Sequence, residues 1–238
     1  MLISLTGKFL EKRNSINSKN LILITLVSLL VIACFFSIKV DAKSNDSTIQ
    51  IRAGFLKNKG DDVELEDGVK IIKDDINLKA PRGTMNREEK KIILTEGIEM
   101  NYNQGKIKSL EMTGWLNDDR YLFESEVVFD YQPQEEGKKG FVLKAPYLEM
   151  RSEEKSFIAK KGVTINYDQK LLKAEEAEYI DQKEHLILRK NVSIKEENGD
   201  WVKSKKAIFD LSSGEEVFTA DGDVEIEIKL DQEKNGKK

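Results

Sequence analysis

LKAPYLEMR (Leu143 to Arg151), then KSFIAKK (Lys155 to Lys161), then, past Gly162, VTINY (Val163 to Tyr167), is the stretch whose pattern sets the fold class. Val163, Ile165 and Tyr167 recur every second residue, which puts them on one face of a strand and Thr164 on the other. A helix would need spacings of three and four. Ser152-Glu153-Glu154 separates the first two pieces with polar turn chemistry. Gly162 separates the last two, where a left-handed residue or a bulge fits. The reading is three strand-sized pieces in one unit.

That unit occurs five times. Its opening triplets are Leu78-Lys79-Ala80, Ile107-Lys108-Ser109, Leu143-Lys144-Ala145, Leu172-Lys173-Ala174 and Val202-Lys203-Ser204. Ile98, Val127, Val163 and Val192 each follow their triplet's first residue by 20 positions, and Val224 follows by 22. Asn86 to Glu89, Asn117 to Asp119, Asp181 to Glu184 and Ser212 to Glu215 stand at the first turn of the other copies. Gly68, Gly97, Asn191 and Gly222 stand where Gly162 does. Self-similarity at a fixed period means that each unit is one supersecondary element and that neighbours stack to complete a core. The gap from each Val or Ile to the next triplet is 9, 16, 9 and 10 residues, and the long one holds the polar insertion Gln132 to Gly140. Insertions of that kind are tolerated at hairpin tips. Ile51-Arg52-Ala53 reads as a degenerate first copy capping the stack. The expected fold is all-β, an antiparallel meander over residues 49–230 that must fold over so that its apolar faces meet, because a dozen twisted strands cannot stay flat.

Composition narrows the function. The chain has 238 residues, 39% hydrophobic and 34% charged, with one Cys and one His. Cys34 alone cannot form an intramolecular disulfide, and His185 alone gives no His-dependent metal site or triad. No nucleophile motif, Gly-rich phosphate loop or His/Cys cluster is present. Asp221-Gly222-Asp223 lacks the further ligands of a calcium loop and reads as a turn. Glu88-Glu89 and Glu153-Glu154 read as solvated turn surface. The expectation is a non-enzyme with no cofactor. Residues after Ala42 carry 34 basic against 41 acidic side chains, a net charge of −7, which argues against binding nucleic acid.

Leu21 to Ile38 is an 18-residue apolar run whose only polar members are Thr25, Ser28 and Ser37. As a helix it spans roughly 27 Å, close to a hydrocarbon core of about 30 Å. Lys8, Lys12, Arg13 and Lys19 precede it, so residues 1–20 are expected in the cytoplasm and the β-region on the other side of the membrane. Two other readings compete. Val40-Asp41-Ala42 resembles a signal-peptidase site, though the run exceeds the roughly 7–15 apolar residues of a signal core. Val31-Ile32-Ala33-Cys34 resembles a lipoprotein box, though Phe35, Phe36 and Ile38 keep the run apolar past the cysteine. An uncleaved signal-anchor over 21–38, with a linker over 39–48 and a polar tail over 231–238, is favoured.

An anchor followed by such units resembles the OstA-like family of periplasmic lipopolysaccharide-transport proteins. The Leu-Lys-Ala triplets, the stretches Ala177-Glu178-Tyr179 and Ala207-Ile208-Phe209-Asp210, and the Gly-Val-x-Ile turns carry the likeness, which covers roughly 49 to 230. The anchor favours the membrane-tethered member over the soluble bridge protein, and cleavage after Ala42 would reverse that. The resemblance implies a folded-over β-jellyroll with an apolar groove, in a single-pass protein of the bacterial inner membrane. It would accept lipopolysaccharide from the permease subunits of an inner-membrane ABC transporter and pass it to a soluble periplasmic bridge of like modules. Ile71, Leu78, Ile98, Leu143, Val163, Ile165, Leu172, Val192 and Ile194 are the aliphatic positions that would line the groove. Burying a methylene is worth about 0.8 kcal/mol, so full enclosure of several acyl chains would hold cargo too tightly to release. The groove is therefore expected to be partial or splayed. A continuous apolar channel open at both ends would separate a carrier from a structural module, and a tightly closed core would count against the carrier.

The same nine positions would also form the core of an empty sandwich, and Trp115, Phe129, Phe157 and Tyr167 are likewise expected in core. The last strand, with Val224, Ile226 and Ile228 alternating with Glu225 and Glu227, is the candidate partner edge. An unpaired edge of this kind can accept a strand from another chain through main-chain hydrogen bonds, and the resemblance implies that the bridge protein docks there. A membrane-anchored structural or adhesive β-solenoid without cargo is the competing reading.

Overall fold

The computed structural model describes residues 48–103, 105–212 and 217–230. The expected cytoplasmic segment, transmembrane helix, most of the linker, Cys34, Ala42 and the polar tail lie outside the described residues. No helix among the described residues is long and apolar enough to cross a membrane.

Every strand pairing is antiparallel. Six short strands open the domain: β1 (Gln50–Arg52), β2 (Phe55–Lys59), β3 (Asp62–Glu66), β4 (Val69–Lys73), β5 (Ile76–Ala80) and β6 (Arg82–Asn86). Eight long ones follow as a meander: β7 (Lys91–Tyr102), β8 (Gly105–Trp115), β9 (Arg120–Tyr131), β10 (Phe141–Arg151), β11 (Ser156–Tyr167), β12 (Lys170–Ile180), β13 (His185–Glu196) and β14 (Trp201–Asp210). Two short strands, β15 (Val217–Asp221) and β16 (Glu225–Glu227), close it.

Every second long strand, β7, β9, β11 and β13, carries a bulge at its middle, and every ladder between long strands shifts register there. This corrects the three-piece reading of the unit. KSFIAKK and VTINY are two halves of one strand, β11, not two strands joined by a turn. The bends fall where two successive residues take positive φ: Glu96 and Gly97 at 70° and 104°, Ser125 and Glu126 at 63° and 55°, Lys161 and Gly162 at 69° and 89°, Lys190 and Asn191 at 64° and 53°. The ladders shift register at the same points. An extra residue in one strand is a bulge, which bends and twists it. At the domain's ends the bend separates strands outright: Asp67-Gly68 lies between β3 and β4, and Gly222-Asp223 between β15 and β16.

The corners make two arms. The first arm contains β1, β4, β5 and the halves of β7 to β14 that carry the triplets and the Val-x-Ile pairs, with β16 at its end. The second contains β2, β3, β6, the other halves and β15. Inward residues of both arms join one core, from Val63 and Leu65 to Ala207 and Phe209. The chain thus folds over on itself, as required by an apolar face on every strand.

The corner also explains the repeat. The third triplet residue always stands on the strand opposite a bend: Val69 faces Ala80, Ile98 faces Ser109, Val127 faces Ala145, Val163 faces Ala174 and Val192 faces Ser204. Ala80, Ser109, Ala145, Ala174 and Ser204 are 5–8% exposed. All five are small side chains, buried on the inward side of the corner. The serines satisfy their hydroxyls locally, Ser109 donating to the Glu111 carbonyl and Ser204 to the Lys206 carbonyl, both at 2.9 Å.

Candidate functional site

Three regions compete as the functional site: the interior, the seam opposite the corners, and the strand edges. The nine aliphatic positions named from sequence all lie in the interior. Ile71, Leu78, Leu143, Ile165, Leu172, Val192 and Ile194 are 0–1% exposed, Val163 2% and Ile98 3%. The channel open at both ends that would mark a carrier is not seen among the described residues. The physical reason is the inventory of large side chains on the facing arm: Leu94, Met112, Tyr121, Phe123, Leu148, Phe157 and Phe209 are buried against the nine and fill the gap. Phe129, Phe157 and Tyr167 are core, as expected. Trp115 is not. It stands on the outer face of β8 with the Arg120 guanidinium 3.9 Å from its ring centroid.

One side of the interior is closed by covalent corners and the other by side chains alone. At this seam the free ends of the two arms meet. Lys73, only 4% exposed at the end of β4, donates to the Leu116 carbonyl at 2.8 Å and to Asp119 Oδ1 at 2.6 Å, both in the turn that ends β8. The Tyr102 hydroxyl donates to the Ser152 carbonyl at 2.6 Å. The hydroxyls of Tyr131 and Tyr179 lie 3.4 Å apart. Lys138, in the polar insertion, bonds both carboxylate oxygens of Glu184 at 2.9 and 2.8 Å. Asp119 and Glu184 each hold the left-handed residue of their turn, φ 50°, so backbone strain of order 1 kcal/mol sits at two of the latching positions.

A cavity of about 190 Å³ lies at this seam beneath the insertion. Aromatic rings wall it: Phe129 meets Phe157 edge-on with centroids 5.2 Å apart, and Phe157 stacks on Tyr179 at 5.5 Å. Lys138, Lys139 and Lys155 stand at its rim beside Glu135, Asp181 and Glu184. Burial, with Asp75, Asp181 and Asp119 adding their charge, pushes the Tyr102 phenol up to about 12. Burial likewise raises Tyr121 and Tyr179 above the ordinary tyrosine value. The three phenols therefore stay protonated across the physiological range. Hydrogen bonds that Lys138 donates to Glu135 and Glu184 hold its ammonium charged. No cluster of His, Cys, Asp and Glu suited to a metal ion occurs among the described residues.

The edges are exposed at both ends. Val224, Ile226 and Ile228 are 45%, 61% and 65% exposed. β16 pairs only with β14, matching Ile226 to Val202, and leaves its outer side unpaired. At the opposite end, where an edge was expected but its residues were not named, β2 pairs only with β3 and exposes Phe55 and Leu56 at 48% and 59%. The seam was missed. Its polar members come from hairpin tips that read as solvated turns, and only the length of the 132–140 insertion hinted at them.

No protein-family model matches the chain, and no curated protein matches it. A solved structure to which it is similar is that of LptH, the LptA-homologous periplasmic component of the conserved lipopolysaccharide transport device of Pseudomonas aeruginosa. The two are 7% identical, the match covers 60% of this chain and 83% of that one, and the TM-score is 0.34. The likeness is too slight to carry an argument, and the two-armed architecture rests on this chain's own pairings.

Proposed function

We propose that the domain carries the acyl chains of an amphipathic lipid, lipopolysaccharide, between its two arms, entering and leaving through the seam. The single observation that carries this reading is the asymmetry of closure. A continuous apolar interior is sealed on one side by the polypeptide and on the other by a few polar contacts over an aromatic-walled cavity. Parting the seam would expose aliphatic positions along the whole stack without breaking a strand ladder. Lysines at the rim suit the phosphates and carboxylates of a lipid headgroup. The exposed apolar edges, β2 at one end and β16 at the other, suit strand addition by like modules, through which cargo would pass.

In this reading the protein is an LptC-like, membrane-anchored component of lipopolysaccharide transport. It is held in the inner membrane by residues 21–38 with its β-domain in the periplasm. It receives cargo from an ABC transporter's permease subunits and delivers it to a soluble bridge, without catalysis, cofactor or metal. Cleavage after Ala42 would make it a soluble bridge module instead, and amino-terminal sequencing of the mature protein separates the two. The closed interior favours a second reading, a structural β-module without cargo. Photo-crosslinkers placed at Ile165 and Val192 in cells discriminate: adducts with lipopolysaccharide support the carrier, and no adduct from any inward position supports the structural module.

A further inference from the structure

The outer face of the first arm carries a line of cations that folding does not require. At one register position Arg52, Lys70 and Lys79 stand directly opposite one another on β1, β4 and β5. The line continues through the middle residues of the later triplets, Lys108, Lys144, Lys173 and Lys203, on every second strand. Val128, Thr164 and Ser193 fill the strands between, and only Glu99 and Glu225 are acidic. Strands ~4.8 Å apart put successive lysines about 10 Å apart and the whole line at roughly 48 Å.

The equivalent line on the second arm is balanced. There Arg82, Lys160, Arg189 and Lys206 share a register position with Glu111, Glu124, Glu176 and Asp221. On the first arm Glu99 bonds Lys106 of the neighbouring line at 2.8 Å, and it stands opposite Lys79 and Lys108, whose charges also act on its carboxylate. Among the described residues Lys79, Lys108, Lys144 and Lys173 make no ion pair. Like charges directly opposite in a ladder destabilise it. A sequence that places Arg52, Lys70 and Lys79 so, and renews the cation in every copy, departs from local stability in a regular way.

Two residues further along the same face runs a second line of mixed chemistry. Asn77 stands opposite Asn101, Lys106 opposite Asp130, Val142 opposite Asn166, Leu171 opposite Lys195, and Lys195 opposite Trp201. Asn77 Oδ1 is buried with no hydrogen-bond partner. The Lys203 ammonium lies 4.5 Å from the Trp201 ring centroid. Amides suit hydroxyl groups, an indole face suits the apolar face of a sugar ring, and lysines suit carboxylates or phosphates.

We propose that this face binds an extended acidic glycan, one strand of sugar bearing carboxylates or phosphates, laid across the strands of the first arm. A flat anionic bilayer fits less well, because a sheet twists by about 20–25° per strand and the line of cations winds with it. A flexible polymer can follow that course. The inference uses no interior residue and stands apart from the cargo reading.

Calorimetric titration of the full chain in detergent tests it, with oligogalacturonate as the carboxylated probe and phosphomannan as the phosphorylated one. Lys108→Gln/Lys144→Gln/Lys173→Gln is expected to weaken binding by about tenfold or more, and to flatten its salt dependence. Lys160→Gln/Arg189→Gln/Lys206→Gln, the same charge change on the second arm, is expected to alter affinity by less than about twofold. Lys70→Gln is expected to raise the thermal midpoint of the free protein by relieving Arg52 and Lys79. Equal losses in both triple variants would overturn the proposal, as would binding of neither probe at low salt. So would stronger binding to phosphatidylglycerol vesicles or to duplex DNA than to either glycan. If the triple variant does not fold, Lys144→Gln alone should still weaken binding by about twofold.

Discussion

Val192-Ser193-Ile194 and Val224-Glu225-Ile226 carry the same alternation one repeat apart, yet Val192 and Ile194 are 1% exposed while Val224 and Ile226 are 45% and 61% exposed. The difference lies in their neighbours. Val192 and Ile194 sit mid-stack, between two paired strands and under the facing arm. Ile226 sits on the last strand, with a neighbour on one side only, and Val224 lies just before it. Period two decides which face a residue takes, and the number of strands beyond it decides whether that face is covered. An apolar stripe left at the end of a stack is a surface awaiting another strand.

Substitutions at the two ends of that contrast should differ most. Leu143→Ala removes a fully buried side chain and should cost about 2–5 kcal/mol in a denaturant titration, while Ile226→Ala should change stability by less than about 0.5 kcal/mol. Equal costs would mean that the last strand is covered in solution. A smaller effect is expected at the corners. Ala174→Leu puts a large side chain at a buried position on the inward side of a corner and should destabilise by about 1–3 kcal/mol, whereas the same change at Lys173, its exposed neighbour, should be near neutral. Lys73→Ala leaves the Leu116 carbonyl and Asp119 without their partner and should cost about 1–3 kcal/mol, discounted for the partial exposure of Asp119. Lys73→Met, which keeps the stem, should cost less. A normal loss at Leu143 with none at Lys73 would mean that the seam is open in solution.

Alkaline pH gives the mildest probe. Tyr102 has its phenol raised to about 12 in the folded protein, against about 10 in an unfolded chain. Its contribution is therefore intact below pH 10 and lost as pH climbs toward 12. Tyrosinate absorbance should show late-titrating phenols in the folded protein, fewer in Tyr102→Phe, and unfolding should set in across that interval.

Much of this was legible in the sequence, and the legible part is what one strand can encode. Alternation at Val163, Ile165 and Tyr167 gave the inward face, and the inserted Gln132 to Gly140 lies at the hairpin tip between β9 and β10, as its polarity implied. The glycine positions were recognised as sites of left-handed residues or bulges. That they are corners inside continuous strands was not legible, because Ser125 and Glu126 take positive φ without glycine. The repeat's third residue was seen as a motif before its place, the inward side of the corner, was known. The seam was hidden for a different cause. Nothing in the sequence around Lys73 marks it as buried, and its partners Leu116 and Asp119 lie 43 and 46 residues away. Trp115 failed in the opposite sense: its size argued for core, while strand parity put it on the outer face beside Arg120.

The central claim, that an acyl-bearing lipid passes through the seam, can be tested by locking it. In a Cys34→Ser background, Lys138→Cys and Glu184→Cys would be joined by a short bis-maleimide linker, and lipopolysaccharide uptake compared with that of the unlinked pair. Passage through the seam requires that the linked protein take up no lipopolysaccharide while the unlinked protein does. Undiminished uptake by the linked protein would contradict it.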